Sequence, residues 1–466
     1  MPSPTTSAAE RLAAVVKAYD IRGTVPDQLD SGLVRALGAA FVELTGGQAV
    51  VVGHDMRPSS PELVDAFTEG AASHGADVVA IGLASTDQLY FASGSLGLPG
   101  AMFTASHNPA QFNGIKLCRA GAVPVGQDSG LTELRDRAAA LAGSDGPPAA
   151  TRGAVRSADL LGAYADHLRS LVDLRGSRRL RVVVDAGNGM AGHTAPAVFD
   201  GLPFELLPMY FELDGTFPNH EANPLEPANL VDLQARVRVE GADIGLAFDG
   251  DADRCFVVDE RGIAVSPSAV TALVAVRELG RHPGSTVIHN LITSRAVPEI
   301  VREHGGVPLR SRVGHSFIKA EMARSDAVFG GEHSAHYYFR DFWRADTGML
   351  AALHVLAALG VSDQPLSRLA AAYERYAGSG EVNSTVSDVG ASLATVRAAF
   401  EPRPGVTLDF LDGTTVDGPG WWFNLRPSNT EPLLRLNVEA ADAATMAAVR
   451  DEVLALVRGT VAGQED

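Results

Sequence analysis

Three times along this chain a run of β-branched apolar residues gives way to an Ala/Leu-rich helical pattern. Each copy later delivers a second apolar run that stops in a polar loop. This alternation constrains the fold most, because strands that alternate with helices assemble as βα units around a sheet. The first copy opens with AVVVGHD (49–55), continues through the helical SPELVDAFTEGAASHGA (60–76) and the strand DVVAIG (77–82), and later runs GAMF into TASHNP (104–109). RLRVVVDAGNG (179–189) opens the second copy, where ADIGLAF leads into DGDADR (249–254). STVIHNLITS (285–294) opens the third, where DAVF leads into GGEHSAH (330–336). Open α/β sheets bind ligands at the carboxyl ends of their strands, so these loops are the places to look for chemistry.

The 466 residues suffice for about three or four domains of roughly 100–200 residues each. A Gly/Pro/Ala-rich stretch at 141–153, a turn near 259–262 and LGVSDQPLSRL (359–369) read as joints. From about residue 376 strands and helices follow in mixed order. We therefore expect an α/β protein with three similar domains built on mixed sheets, at 1–150, 151–256 and 257–368. A smaller α+β domain follows at 369–466.

The formal net charge of −18 argues against nucleic acid and anionic membranes as partners. An anionic substrate then needs a local cluster of positive charge. Of 38 basic residues only three are lysine, Lys17, Lys116 and Lys319, which leaves 38 − 3 = 35 arginines. A lysine kept against that bias suggests a task arginine cannot do, such as giving up a proton. All three fall in the motif stretches considered below. The two cysteines, Cys118 and Cys255, read as small core residues in a reducing compartment. The apolar MLAALHVLAALGV (349–361) is too short to span a bilayer and reads as a buried helix. The first residues lack a basic segment followed by an apolar one, so a cytoplasmic protein is expected.

In DGDADR, Asp249, Asp251 and Asp253 alternate with small residues. In an extended loop they face one way, and converging carboxylates call for a hard cation such as Mg²⁺. An EF-hand fails here, because its sixth position would be Arg254 instead of glycine and a strand precedes the loop. Arg254 adds a positive charge suited to a phosphate beside the metal. Ser106 invites a hydrolase reading through His107, yet its neighbours do not form Gly-x-Ser-x-Gly. Thr104, His107, Asn108, Asn113 and Lys116 instead suit a serine that carries phosphate. Glu332, Ser334 and His336 alternate like a polyol grip. Arg426, Ser428, Asn429 and Thr430 combine short polar groups with a guanidinium, as a phosphate grip does. His315 and Lys319 lie one helical turn apart. Taken alone, each motif also reads as an ordinary polar turn.

Together, KAYDIRG (17–23), TASHNP with NGIK (113–116), DGDADR, GEHSAH (331–336) and RPSNTEP (426–432) occur in an order that resembles the α-D-phosphohexomutase family, in its bacterial phosphomannomutase/phosphoglucomutase branch. The resemblance spans nearly the whole chain. It implies four domains around a central cleft and a Mg²⁺-dependent mutase that cycles through a phosphoserine. Ser106 is then the phosphoserine, and with Asp249, Asp251 and Asp253 it belongs to the metal site. Tyr19, Arg22, His107, Lys116, Arg254 and His315 line the reacting end. Glu332, Ser334 and His336 bind sugar hydroxyls, and Arg426, Ser428, Asn429 and Thr430 hold the distal phosphate. Some members carry a lysine in the segment matching NLITSR; here the contact is lost or falls to Arg295 or Arg312.

The expected reaction interconverts hexose 6-phosphate and hexose 1-phosphate, mannose first and glucose next, through hexose 1,6-bisphosphate. Arg22 and Arg254 are expected to lower the Lys116 pKa so that it shuttles a proton, with His315 the alternative carrier. A phosphoglucosamine mutase is the rival within the class, although GEHSAH argues against it. A Mg²⁺-dependent phosphohydrolase with a serine intermediate is the rival outside it, and has no need of the distal phosphate grip.

Overall fold

The computed structural model describes residues 7–142, 149, 151–428 and 433–459. Four sheets account for its strands. In the first, parallel strands Gly100–Phe103, Ala49–His54, Asp77–Leu83 and Val155–Ser157 are flanked by Phe112–Arg119 and Ile21–Thr24, with Val123–Pro124 paired off to the side. The second orders Ala264–Val265, Cys255–Asp259, Ile244–Phe248, Leu180–Asp185 and Phe204–Met209. The third orders Val307–Ser311, Thr286–Asn290, Phe329–Gly331, Tyr337–Phe339 and Ala345–Asp346. The fourth, from Ala377–Thr385 to Thr407–Asp409, is antiparallel throughout. We number the corresponding domains I to IV.

The threefold repetition holds in detail. In each of the first three sheets a short buried strand (Gly100–Phe103, Ile244–Phe248 or Phe329–Gly331) runs parallel to one neighbour. It then pairs antiparallel with the strand after its loop. The sheets are mixed because that loop is too short for a crossover, so the chain must return beside itself. Each loop contains one non-glycine residue with positive φ: Ser106 at 50°, Ala252 at 60° and Ala335 at 64°.

Strand pairing moves two expected cuts. Val155–Ser157 closes the edge of the first sheet against Asp77–Leu83, and Cys255–Asp259 and Ala264–Val265 belong to the second. The sheets therefore part after 157 and 265 instead of at 150 and 256. The apolar 349–361 segment forms the helix Gly348–Gly360, capped by Thr347 and buried on nearly every side, as an all-apolar helix must be. Among the described residues no helix is long and apolar enough to cross a membrane. Cys118 and Cys255 are buried free thiols.

One apolar core runs through domains I to III, joining Tyr90, Phe91 and Cys118 to Tyr164 and Leu246 and on to Phe329 and Leu353. Domain I has a second core beneath its outer helices. Domain IV has its own, around Phe400, Phe423, Leu436 and Val453.

Candidate active site

The loops of domains I and II meet at Ser106. Its Oγ donates to Asp249 Oδ2 at 2.8 Å and lies 3.2 Å from His107 Nδ1. The serine is 4% exposed and its left-handed backbone is held from two sides. Its N–H donates to Thr104 Oγ1 at 2.9 Å, and its carbonyl accepts from Arg57 Nη2 at 2.8 Å. The metal-site loop comes so close that a Cβ on Gly250 would stand 2.4 Å from the Ser106 carbonyl oxygen. Only glycine fits there.

Asp249, Asp251 and Asp253 are buried and bring one carboxylate oxygen each within 4.8 Å of the others. Arg254 Nε donates to Asp249 at 2.9 Å, and Lys116 Nζ donates to Asp251 at 2.6 Å and Asp253 at 2.5 Å. Three carboxylates face two cations, and Asp251 Oδ1 and Asp253 Oδ1 are buried without a hydrogen-bond partner. Two orphaned anionic oxygens beside a serine oxygen are a donor set that fits a hard divalent cation. Burial, with Asp253 and Asp251 adding to it against Arg254, pushes the Asp249 carboxyl well up. Asp251 is pulled down, because Lys116 and Thr86 outweigh its burial.

The expectation for Lys116 is corrected here. Burial lowers its pKa, but Asp251, Asp253 and Asp346 raise it by more, and the net shift is upward. The carboxylates touch the ammonium and the guanidinium groups do not. Arg254 Nη2 instead meets His107 Nδ1 at 2.6 Å. Arg22 pairs with Asp20 and also donates to Asn108. Burial, then Arg254 and Arg22, hold His107 well below the ordinary imidazole range. Neutral His107 then accepts from Arg254 at Nδ1, so the Ser106 hydroxyl hydrogen points to Asp249.

His315 begins the helix His315–Ser325 and meets the Tyr19 ring edge-on at 5.2 Å. Burial, then Lys319, push it down to about 3. Tyr19 is pushed up by burial and by Asp412, with Arg312 and Arg426 opposing. A Cβ on Gly314 would stand 2.9 Å from that hydroxyl oxygen. Lys319 is buried, pairs with Asp346 at 2.6 Å and lies 4.1 Å from the Tyr90 ring centroid. Lys17 does not share this setting, since its ammonium donates to the Ala14 carbonyl in an exposed bond.

In the domain III loop Glu332 is buried and accepts from Asn290 Nδ2 at 3.1 Å, Gly314 N at 3.2 Å and Tyr338 Oη at 2.7 Å. Ser334 Oγ lies 3.0 Å from His336 Nδ1, and His336 Nε2 lies 3.7 Å from Asp253 Oδ1. A backbone bridge between Arg254 and His336 joins this loop to the metal-site loop. In domain IV, Arg426 is 7% exposed, donates to Glu381 Oε2 at 3.1 Å and keeps a buried Nε without a partner. Arg435 reaches Ser428 Oγ at 3.5 Å. Asn429 and Thr430 lie outside the described residues. Of the two arginines near the NLITSR departure, Arg295 pairs with Asp417 and faces Trp422. Arg312 lies 4.6 Å over the Phe317 ring and makes no ion pair among the described residues.

Sequence reasoning missed Arg57 and Thr86. Arg57 is fully buried and uses all five guanidinium N–H groups, on Asp55 and on the carbonyls of Ser106, Asn108, Pro109 and Phe112. Thr86 Oγ1 donates to Asp251 Oδ2 at 2.6 Å. GHDMR lies past the carboxyl end of a strand, which marks the segment, but the carbonyls that Arg57 holds lie 49 to 55 positions on.

The chain matches phosphoglucomutase/phosphomannomutase alpha/beta/alpha domains I, II and III over residues 13–141, 162–262 and 266–376, and the C-terminal domain over 381–456. It is 42% identical over 446 residues to a protein described as phosphohexose mutases from Xanthomonas campestris, covering 95% of this chain and 99% of the other. Identity to an Escherichia coli phosphomannomutase is 40% over 453 residues, 95% and 98% of the two chains. The structure of a phosphoglucomutase/phosphomannomutase family protein from Burkholderia thailandensis aligns with a TM-score of 0.87 at 32% identity, covering 99% of each chain.

Proposed function

Since this chain belongs to the phosphoglucomutase/phosphomannomutase family, we propose that it moves a phosphoryl group between the 6- and 1-positions of a hexose, mannose first and glucose second. The observation that carries this reading is the Ser106 hydroxyl, buried against Asp249 in a three-carboxylate site, together with a separate cationic grip at Arg426. A phosphohydrolase needs only the first. Phosphorylated Ser106 gives its phosphate to the free end of the sugar phosphate. The hexose 1,6-bisphosphate turns around, and Ser106 takes the other phosphate.

Asp249, Asp251, Asp253 and Ser106 are the groups we assign to Mg²⁺, which supplies charge neutralisation at the transferring phosphate. The remaining work belongs to side chains. Arg254 and Arg22 flank the reacting phosphate, and Arg426 and Ser428, with Asn429 and Thr430, hold the distal one. Glu332 is fixed by three donors and presents a constant edge to sugar hydroxyls in both poses. Hexoses that differ only at C2 are then poorly separated. Lys116, kept charged by Asp251, Asp253 and Asp346 against its burial, is suited to steady the transferring phosphate, and His315, kept neutral by burial beside Tyr19, is the group left to accept a hydrogen bond from the attacking sugar hydroxyl. Two buried free thiols support a reducing, cytoplasmic setting.

The test is a coupled assay on mannose, glucose and glucosamine 1-phosphates with Mg²⁺ and a trace of 1,6-bisphosphate, alongside peptide mapping. Turnover on mannose and glucose 1-phosphates with phosphate on Ser106 is expected. An active protein that never carries phosphate there overturns the mechanism, and preference for glucosamine 1-phosphate moves the assignment within the class.

A further inference from the structure

The helix Thr86–Leu96 begins where three domains meet. Its first residue, Thr86, is tied to the metal-site loop of domain II. The Thr86 N–H donates to the Asp251 carbonyl at 3.0 Å, and its hydroxyl donates to the Asp251 carboxylate at 2.6 Å. Its second residue, Asp87, is fully buried. Tyr164 Oη donates to Asp87 Oδ2 at 2.7 Å from the domain II helix Leu161–Leu171. Thr347 Oγ1 donates to the same oxygen at 2.6 Å from the start of the domain III helix Gly348–Gly360. Ser85 donates to the other oxygen. Asp87 makes no ion pair among the described residues, so hydroxyls alone hold it. Burial pushes it up to about 6 against those donors, which leaves it mostly ionised at neutral pH. A corner that needed only filling would be filled by an apolar side chain, because a buried carboxylate is unfavourable unless its bonds are used.

The contacts continue on the far side. Thr347 follows Asp346, which pairs with Lys319 and brings a carboxylate oxygen within 4.8 Å of ligand atoms of His336 and Asp253. A run of bonded groups thus leads from Asp251 through Thr86 and Asp87 to Thr347 and Asp346, whose carboxylate comes within 4.8 Å of His336 in the sugar loop. It crosses all three domains.

We propose that Asp87 is a positioning residue that locks the metal-site loop of domain II and the sugar side of domain III in one register, so that the hexose bisphosphate stays held between them while it turns around. The inference rests on the mutase reading above. Between its two half-reactions that intermediate has no covalent link to the protein, so that register must outlast its reorientation. Hydroxyl-to-carboxylate bonds suit the purpose, because they fix directionally a register that the apolar core shared by domains I to III does not by itself specify.

Thr347→Val and Tyr164→Phe each remove one donor and keep the shape, and Asp87→Asn keeps the shape and removes the charge. Two measurements on the full chain decide the matter. The first is hydrogen exchange at the Thr86 amide, which needs no turnover. The second is release of labelled hexose 1,6-bisphosphate per turnover from the phosphorylated enzyme. In Thr347→Val we expect faster exchange and at least about tenfold more released bisphosphate, the scale of one hydrogen bond lost from a charged group. Transfer of phosphate from glucose 1,6-bisphosphate to Ser106 stays at the parental rate. Parental exchange in all three variants overturns the lock, and faster exchange with parental release overturns its role in retention. If the unmutated protein neither phosphorylates Ser106 nor converts hexose phosphates, the mutase reading fails, and the exchange data still decide whether the lock exists.

Discussion

A single ammonium shows how tightly this site specifies its residues. Lys116 Nζ stands 2.6 Å from one Asp251 oxygen and 2.5 Å from one Asp253 oxygen, a seat for a compact charge. A planar guanidinium cannot take both contacts from the same stem. Lys116→Arg is therefore expected to lower kcat by about 10²-fold, as for a reacting group displaced by about 1 Å, with KM changed by only a few fold. Steady-state kinetics on mannose 1-phosphate check this. Near-parental kcat in Lys116→Arg would mean that any positive charge suffices there. In domain IV Arg426 has a buried Nε with no partner and one bond to Glu381, which leaves donors for a phosphate. Arg426→Ala is expected to raise KM by roughly ten- to a hundredfold, as for one charge-assisted bond of about 1.5–3 kcal/mol, with Mg²⁺ dependence unchanged. A KM within twofold of the parent removes this loop from the site.

At the scale of elements, each functional loop is a strained return between a parallel and an antiparallel strand, with Ser106, Ala252 or Ala335 at positive φ. A non-glycine residue stays in that conformation only where its surroundings over-determine it. For Ser106 the agent is Arg57, whose fork gathers four carbonyls of the 106–112 segment. Arg57→Lys keeps the charge but cannot reach all four. We expect kcat to fall about 10²-fold, as for a reacting group displaced by about 1 Å, while KM holds within a few fold. Parental kcat would show that the loop holds its own shape. The same element shows what sequence reading can reach. Ser106, the three aspartates and Glu332 were legible because each lies in a contiguous motif just past an apolar strand. Arg57, Thr86 and Asp87 were not, because their partners lie from 49 to 260 positions away and only the folded chain brings them together. The direction of the Lys116 shift was misjudged for the same reason. The motifs name its neighbours without saying which of them touch it.

Across the whole molecule, apolar interior and polar attachment divide the work. Domains I to III share one continuous core, whereas the buried apolar residues of domain IV form a cluster of their own. Polar groups join domain IV to domain III. Arg310 pairs with Asp409 at 2.5 Å, the Val313 amide donates to Asp412 at 3.2 Å, the Arg295 amide donates to Glu439 at 3.0 Å, and the Arg295 side chain pairs with Asp417. Partly exposed pairs of this kind are worth about 0–1 kcal/mol each and weaken with salt. A shared core buries far more, at about 25 cal/mol per Å² of apolar surface. Domain IV should therefore unfold on its own. In calorimetry we expect a small transition for domain IV below the main one, moving further from it as ionic strength rises. Because Arg426 belongs to domain IV and the reacting groups do not, a ligand with two phosphates bridges the joint. Saturating glucose 1,6-bisphosphate should raise the small transition toward the main one, since binding to the native state stabilises whatever it spans. A single transition at every salt concentration would mean that the joint is as strong as the core. Two transitions that ignore the bisphosphate would mean that domain IV does not hold the distal phosphate.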